Sequence, residues 1–388
     1  MNTKVKKTAI VIATYNRPQS LLRLLKSIAN AIYSSDDITL VISIDYHPYY
    51  NKDVVQIAEN FEWKQGNKKI IKHSTNLGLR KHILSCGDLS YEYENVIILE
   101  DDLFVSPYFY TYAQQALQFY ENEEKICGIS LYAYNFNFVA NLNFYPINDS
   151  YSTYFIQHAS SLGQIWSKKH WDKFLAWYKY NNETINKDLL IPDYVLRWPE
   201  TSWKKYFIAY MVTNDLYFVF PKISLVTNFS LDKGTHTPGI NNNVQVPILL
   251  METNYYFAPY NEKALIYDVY FELSPIFLKK IAPCFLNYDF SMDIYGKKEK
   301  SKIKTEYLIS VKKCKKTLKS FGIQMLPIEL NIINNIEGKN IFLGKTIDFD
   351  ENISFDNKYL LISTLQKKIH TRQLLTLLKH DFIKKLKL

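Results

Sequence analysis

The chain has 388 residues, of which 47% are hydrophobic and 22% charged, and a formal net charge of +9. This is an ordinary globular composition, long enough for a substantial core and more than one domain. Four cysteines without metal-ligand spacing exclude a zinc module and a disulfide framework and fit a reducing, cytosolic setting. No apolar run reaches membrane-spanning length, and "KKTAIVIAT" is too short for a signal-peptide core. The positive excess favours anionic partners: nucleotides, phospholipid surfaces or nucleic acid.

The predicted elements begin with a strand over Thr8 to Ala13, rich in β-branched residues. After "TYNRP", the apolar residues Leu21, Leu22, Leu24, Leu25, Ile28 and Ile32 fall at helical spacing, and Pro18 suits the first turn. A second strand, Leu40 to Ile44, runs into Asp45, and a third, Val96 to Leu99, runs into Glu100. Ser106-Pro107 reads as a cap and first helical residue before a helix from Tyr108 to about Tyr120, and Ile126 to Leu131 reads as a fourth strand. Residues 145–246 are aromatic and less periodic. Beyond Ile248 the chain becomes Lys-rich, with strand-like runs at Ile341 to Leu343 and Tyr359 to Ile362. Lys297 to Lys319 hold ten lysines, and Leu375, Leu378, Phe382 and Leu386 form one stripe near Lys379, Lys384, Lys385 and Lys387.

Strands alternating with helices predict an α/β fold with a largely parallel sheet, whose ligands bind beyond the carboxyl ends of the strands. Three polar clusters fall at such ends: Thr14 to Arg17, Asp45, and Glu100 to Asp102. Three adjacent carboxylates repel one another. They either form a solvated turn or need a positive partner. Mg²⁺ or Mn²⁺ is such a partner, because hard cations take oxygen ligands and are often held by one or two carboxylates plus substrate phosphates. Asp45 suits a base N–H or a ribose hydroxyl. Arg17 suits a phosphate or Asp45. His82 suits a phosphate or is a structural histidine, and His236 suits a metal or a phosphate or is a loop histidine.

Several segments together carry a resemblance: "VIATYNRPQSLLRLLKSI", "SID", "NLGLRKH", "ILEDDLFVSPYFYTY", "SSLGQIW", "WPETSW" and "FPKISLVTNFS", in this order over about residues 8–240. The set resembles GT-A glycosyltransferases. It is similar to bacterial family 2 enzymes of surface-polysaccharide pathways and to the N-acetylglucosaminyltransferase that starts N-glycan branching. The resemblance implies a GT-A fold, Rossmann-like with a mostly parallel central sheet and flanking helices, over residues 1–247. Residues 1–130 would be its nucleotide-binding half and 131–247 its acceptor half, with a C-terminal α+β extension over 248–388. It implies a nucleotide-sugar donor, a UDP-sugar first, and a saccharide or lipid-linked acceptor. Thr14, Arg17, Asp45, His82, Glu100 and Asp101 would contact the donor, with Lys81 and Lys233 as further phosphate candidates. Asp102 would be the direct ligand of Mn²⁺ or Mg²⁺, and His236, in the "LDKGTHTPG" loop, a second.

One departure concerns the catalytic base. Where the branching enzyme has an aspartate after its "WP…W" segment, the nearest match here is Lys205, which cannot act as a base without a large pKa depression. Glu200 is the closest carboxylate and is the expected base, with Asp232 and Asp215 as rivals; the resemblance favours inversion. A nucleotidyltransferase would carry a Gly-rich loop where this chain has "TYNRP". A nucleic-acid binder is disfavoured because the lysines cluster away from the expected cleft and no binding module is recognisable. The basic C-terminus suits peripheral contact with the inner face of the cytoplasmic membrane.

Overall fold

The computed structural model describes residues 7–34, 37–49, 51–229, 244–366 and Leu375. The central sheet has nine strands: β1 (Thr8–Thr14), β2 (Thr39–Ile44), β3 (Lys68–Lys72), β4 (Asn95–Glu100), β5 (Ile126–Ser130), β6 (Thr153–Ile156), β7 (Gln164–Ser167), β8 (Tyr217–Pro221) and β9 (Ile266–Tyr267). Their order is β9-β6-β8-β5-β7-β4-β1-β2-β3. Five of the eight pairings are parallel, and the antiparallel ones are β7 with β4, β7 with β5, and β8 with β6. This is the GT-A, Rossmann-like architecture. All seven residues of β1 are buried, because a parallel strand in the middle of a sheet is covered on both faces. The edge strand β3 is partly exposed along its length, which explains its Lys-Lys-Ile-Ile-Lys sequence.

Helices α1 (Pro18–Ala29), α2 (Gly78–Asp88), α3 (Phe109–Phe119), α4 (Lys168–Tyr178) and α5 (Trp203–Asn214) flank the sheet. On α1, the buried Leu21, Leu24, Leu25 and Ile28 make one apolar stripe. The α4 and α5 helices are fixed by rings. Trp166 of β7 stacks on Phe207 at 5.4 Å, and Phe207 meets Phe174 at 4.5 Å. Trp203 meets Trp166 edge-on at 5.4 Å. Each such pair contributes about 0.5–1.5 kcal/mol beyond its buried area, so the start of α5 is held firmly against the sheet.

The extension contains β10 (Phe290–Asp293), β11 (Tyr307–Ser310), β12 (Thr317–Phe321) and β13 (Ile341–Lys345), in the order β10-β11-β13-β12, followed by α6 (Phe355–Leu365). The expected strand at Tyr359 to Ile362 lies inside α6. Ser354 caps that helix through the Asn357 N–H, and Asn357, Leu361 and Leu365 turn inward. Strand β9 completes the central sheet, and one apolar core runs from Ala9 to Leu365.

An enclosed ionic joint ties the extension to β9. Glu272 accepts the backbone N–H groups of Ile294 and Tyr295, both at 2.9 Å. Lys298 pairs with Asp268 at 2.5 Å, and Lys312 pairs with Asp293 at 3.2 Å. Two of the ten clustered lysines are therefore internal. Glu329 is a separate buried acid; one of its oxygens has no partner among the described residues, and burial pushes its carboxyl up to about 7 from an ordinary 4.5. A raised folded-state pKa means the folded chain holds an extra proton in that window, so stability falls as pH rises through it. Glu329→Gln should remove this slope, worth up to about 3 kcal/mol. Urea denaturation across about pH 4.5 to 8 checks it; an unchanged slope would show that Glu329 does not titrate this way.

Candidate active site

The register places the carboxyl ends of β1, β2 and β4 side by side: Ala13 pairs with Glu100 and Thr14 with Ile44. Thr14, Asp45 and Glu100 therefore share one edge of the sheet, and the structure brings the three predicted clusters together. The chain supplies its own positive partner for the acidic triplet. Arg17 precedes α1, and its guanidinium pairs with Asp101 Oδ1 and, at 3.2 Å, with Asp102 Oδ2. Thr14 Oγ1 donates to Asp101 Oδ2 at 2.7 Å. Burial opposes the charge on Arg17, yet Asp101, Asp102 and Glu100 hold its pKa above the ordinary value. Burial pushes Asp101 up to about 6 against the pull of Arg17.

Asp45 is buried, and three backbone N–H groups reach its carboxylate. Oδ1 accepts from Tyr46 at 2.9 Å and Leu77 at 2.8 Å, and Oδ2 accepts from Gly78 at 3.0 Å. Gly78 has φ +70°, a left-handed conformation that favours glycine. Asp45 thus shapes the entry to α2, and one of about four carboxylate lone-pair directions remains for a ligand N–H or hydroxyl. Asn51, which the sequence did not single out, stitches the edge by donating to Tyr15 O at 2.8 Å and Asp45 O at 2.9 Å. His82 is tucked behind β2, where its Nε2 meets Ser43 Oγ at 2.8 Å; burial, opposed by Asp45, lowers its pKa to about 4, so it is neutral at physiological pH. Lys81 is exposed on α2.

Beside Glu100 lies a cavity of about 320 Å³. Its walls include Leu79, Ser161, Trp198, Ser202 and Lys204. Burial and the neighbouring Asp102 push Glu100 up to about 8, while burial pushes Lys204 down to about 8 against the pull of Glu100. Trp198 opens the "WPETSW" segment but had no role assigned from sequence, and Lys204 was not singled out. Helical phase separates Lys204 from Lys205: Lys205 is buried and donates to Glu200 Oε1 at 2.6 Å and Trp198 O at 3.0 Å, whereas Lys204 lines the cavity.

Two of the three expected bases are displaced from this cleft. Glu200 is 64% exposed, does not line the cavity, and is engaged by Lys205 and the Tyr206 hydroxyl, which lower its pKa. Asp215 closes α5 just before β8, at the amino-terminal edge of the parallel strands and opposite the cleft, where it pairs with Lys125. Asp232, Lys233 and His236 lie outside the described residues. On one side of that segment Phe229 N–H donates to Asp102 O at 2.8 Å, and on the other Val246 N–H donates to Thr227 Oγ1 at 3.0 Å.

Among the described residues, no three His, Cys, Asp or Glu side chains converge as a metal cage. The donor set still fits a hard divalent cation that shares its shell with substrate. Asp102 is 20% exposed, and Arg17 engages only its Oδ2. That leaves one carboxylate oxygen, which is the usual protein contribution when phosphates supply further oxygens.

Residues 9–161, from β1 to the turn before β7, match the family model for glycosyl transferase family 2. Over this segment the chain is similar to family 2 glycosyltransferases. The matched segment contains Thr14, Arg17, Asp45 and the acidic triplet, while Trp198 and Lys204 on the opposite wall lie beyond it. Among solved structures, the chain is similar to residues 1–349 of TarS from S. aureus at 15% identity and a TM-score of 0.36, covering 58% of this chain and 61% of that one. The same protein in complex with UDP-GlcNAc gives 14% identity and a TM-score of 0.34, covering 57% of each chain. The mannosyltransferase PcManGT from Pyrobaculum calidifontis, in complex with GDP-Man and Mn²⁺, gives 12% identity and a TM-score of 0.32, covering 43% of this chain and 46% of that one. The chain thus spans about three-fifths of the length of the TarS structure. No curated protein matches the sequence.

Proposed function

We propose that this glycosyltransferase moves a sugar from a nucleotide-diphosphate sugar to a hydroxyl of a saccharide or glycolipid acceptor, with inversion, in surface-polysaccharide synthesis. The observation that carries the reading is the Thr14–Arg17–Asp101–Asp102 cluster at the carboxyl ends of β1 and β4, inside the family 2 segment. Asp102 would hold Mn²⁺ or Mg²⁺ together with donor phosphate oxygens, and the ion would supply positive charge for the departing diphosphate. Arg17 orients both aspartates. Asp45 presets the backbone turn at the nucleotide edge. The acceptor oxygen bonds to the anomeric carbon as the bond from that carbon to the phosphate oxygen breaks. The electron pair leaves with the nucleoside diphosphate, and the hydroxyl proton passes to a carboxylate. Among the described residues, Glu100 is the carboxylate that lines the cavity, and we assign it that role.

No described helix is long and apolar enough to cross a membrane. The amphipathic basic stripe from Leu375 to Lys387 lies outside the described residues apart from Leu375. We propose that it makes peripheral contact with a membrane carrying the acceptor.

Thermal-shift titrations with UDP- and GDP-sugars, with and without Mn²⁺, test the reading. Asp102→Asn should fold normally and lose the metal-dependent stabilisation. Its transfer rate should drop by at least about 10- to 100-fold, the loss produced even by disturbing an outer partner of a metal ligand. An undiminished metal-dependent shift would remove Asp102 from the metal site.

A further inference from the structure

Lys204 is a cationic side chain of the cleft that the described residues leave without a hydrogen-bonding partner. It follows Trp203, whose indole is pinned by Trp166, so the backbone that carries it is fixed. Its ammonium lies 5.1 Å from the Trp198 ring centroid and feels Glu100. Among the described residues it makes no hydrogen bond and no ion pair, whereas Lys205 beside it has two acceptors. A partly buried ammonium with an aromatic face but no hydrogen-bond acceptor has given up part of its hydration. A bound anionic group would offset that loss.

The rest of the cavity indicates what carries the anion. Trp198 offers a flat apolar face to a sugar ring, and Ser161, Thr201 and Ser202 offer hydroxyls. The volume of about 320 Å³ is near the lower end of ligand pockets and suits one sugar unit. Glu100 and Lys204 line the same space, so a hydroxyl against the carboxylate and an anion against the ammonium can be satisfied by one molecule.

We propose that Lys204 selects an acceptor sugar bearing a carboxylate or phosphate close to its reacting hydroxyl. The proposal rests on the glycosyltransferase reading and narrows its acceptor class. Calorimetric titration of the full chain with glucose, glucuronate and glucose 6-phosphate tests it, with UDP plus Mn²⁺ titrated separately. At least one anionic sugar should bind about tenfold or more tighter than glucose, the gain expected of a hydrogen bond to a charged group. Whichever of the two does so identifies the anion as carboxylate or phosphate. Lys204→Met should reduce that sugar to the level of glucose, Lys204→Arg should retain the preference, and both should bind UDP like the parent. Equal binding of all three sugars, or a preference that survives in Lys204→Met, overturns the proposal. So does a loss of UDP affinity in Lys204→Met, which would assign the ammonium to the donor phosphates. Failure of the parent chain to bind UDP would count against the glycosyltransferase reading itself, while the sugar titrations would still decide the anion preference.

Discussion

Arg17→Met is expected to abolish sugar transfer and to destabilise the fold by about 2–3 kcal/mol, somewhat less than the loss of a fully enclosed ion-pair partner. The substitution keeps most of the side-chain volume and removes the cation shared by Asp101 and Asp102. Asp101 is 2% exposed and cannot recover its hydration, whereas Arg17 is 27% exposed, which moderates the loss. The defect should depend on pH in a defined direction. Asp101 already titrates near 6 with Arg17 in place, and without the guanidinium its pKa rises further. The gap between variant and parent should therefore widen as pH rises through 6 and narrow below it. Arg17→Lys should recover only part of the stability, because an ammonium cannot bridge two carboxylates as a planar fork does. Urea denaturation at acidic and alkaline pH, paired with turnover, checks all three statements. A variant matching the parent in both above neutral pH would remove Arg17 from the centre of the site.

Lys312→Met should cost about 3–5 kcal/mol, the range for breaking a buried pair from one side. Lys312 and Asp293 are 3% and 0% exposed, and Lys312 also donates to Lys298 O at 2.6 Å. Asp293 would be left with the Ser310 hydroxyl at 3.1 Å and the Lys298 N–H at 2.9 Å, too little for a buried charge. Pairing the change with Asp293→Asn should recover a large part of the loss, because the stranded charge is then gone. A single variant within about 1 kcal/mol of the parent would show that the joint is not built on this pair.

The sheet centre was legible because buried parallel strands read as largely apolar runs rich in β-branched residues: Thr8 to Ala13, Leu40 to Ile44 and Val96 to Leu99 each lie within observed strands. Edge strand β3 was not, since Lys-Lys-Ile-Ile-Lys carries too little apolar signal. Tyr359 to Ile362 misled because four residues cannot distinguish a strand from one helical turn, although Ser354 was present as a cap signal. In the candidate site, the spacing of strand ends pointed to the shared edge. It could not show that Arg17 stands between two of the carboxylates, because that depends on how α1 leaves β1. The sequence named Lys205 but not Lys204, and on a helix one residue is about 100° of rotation, which sends Lys204 to the cavity and Lys205 to Glu200. The ionic joint had no sequence signature, since Asp268, Asp293, Lys298 and Lys312 meet only once the extension has docked.

The placement of β9 bears on how the chain would respond to cutting. Ser152 N–H donates to Tyr256 O at 2.7 Å, Phe155 N–H to Leu265 O at 2.9 Å and Gln157 N–H to Tyr267 O at 2.9 Å, so residues beyond 248 are hydrogen-bonded to β6 and its approach. A protease that nicked the backbone near residue 248 would leave two fragments gripping each other through the sheet and the buried Tyr267. They would migrate together under native conditions and separate only in denaturant. Conversely, a fragment ending there would present the unpaired edge of β6 as a sticky template for aggregation.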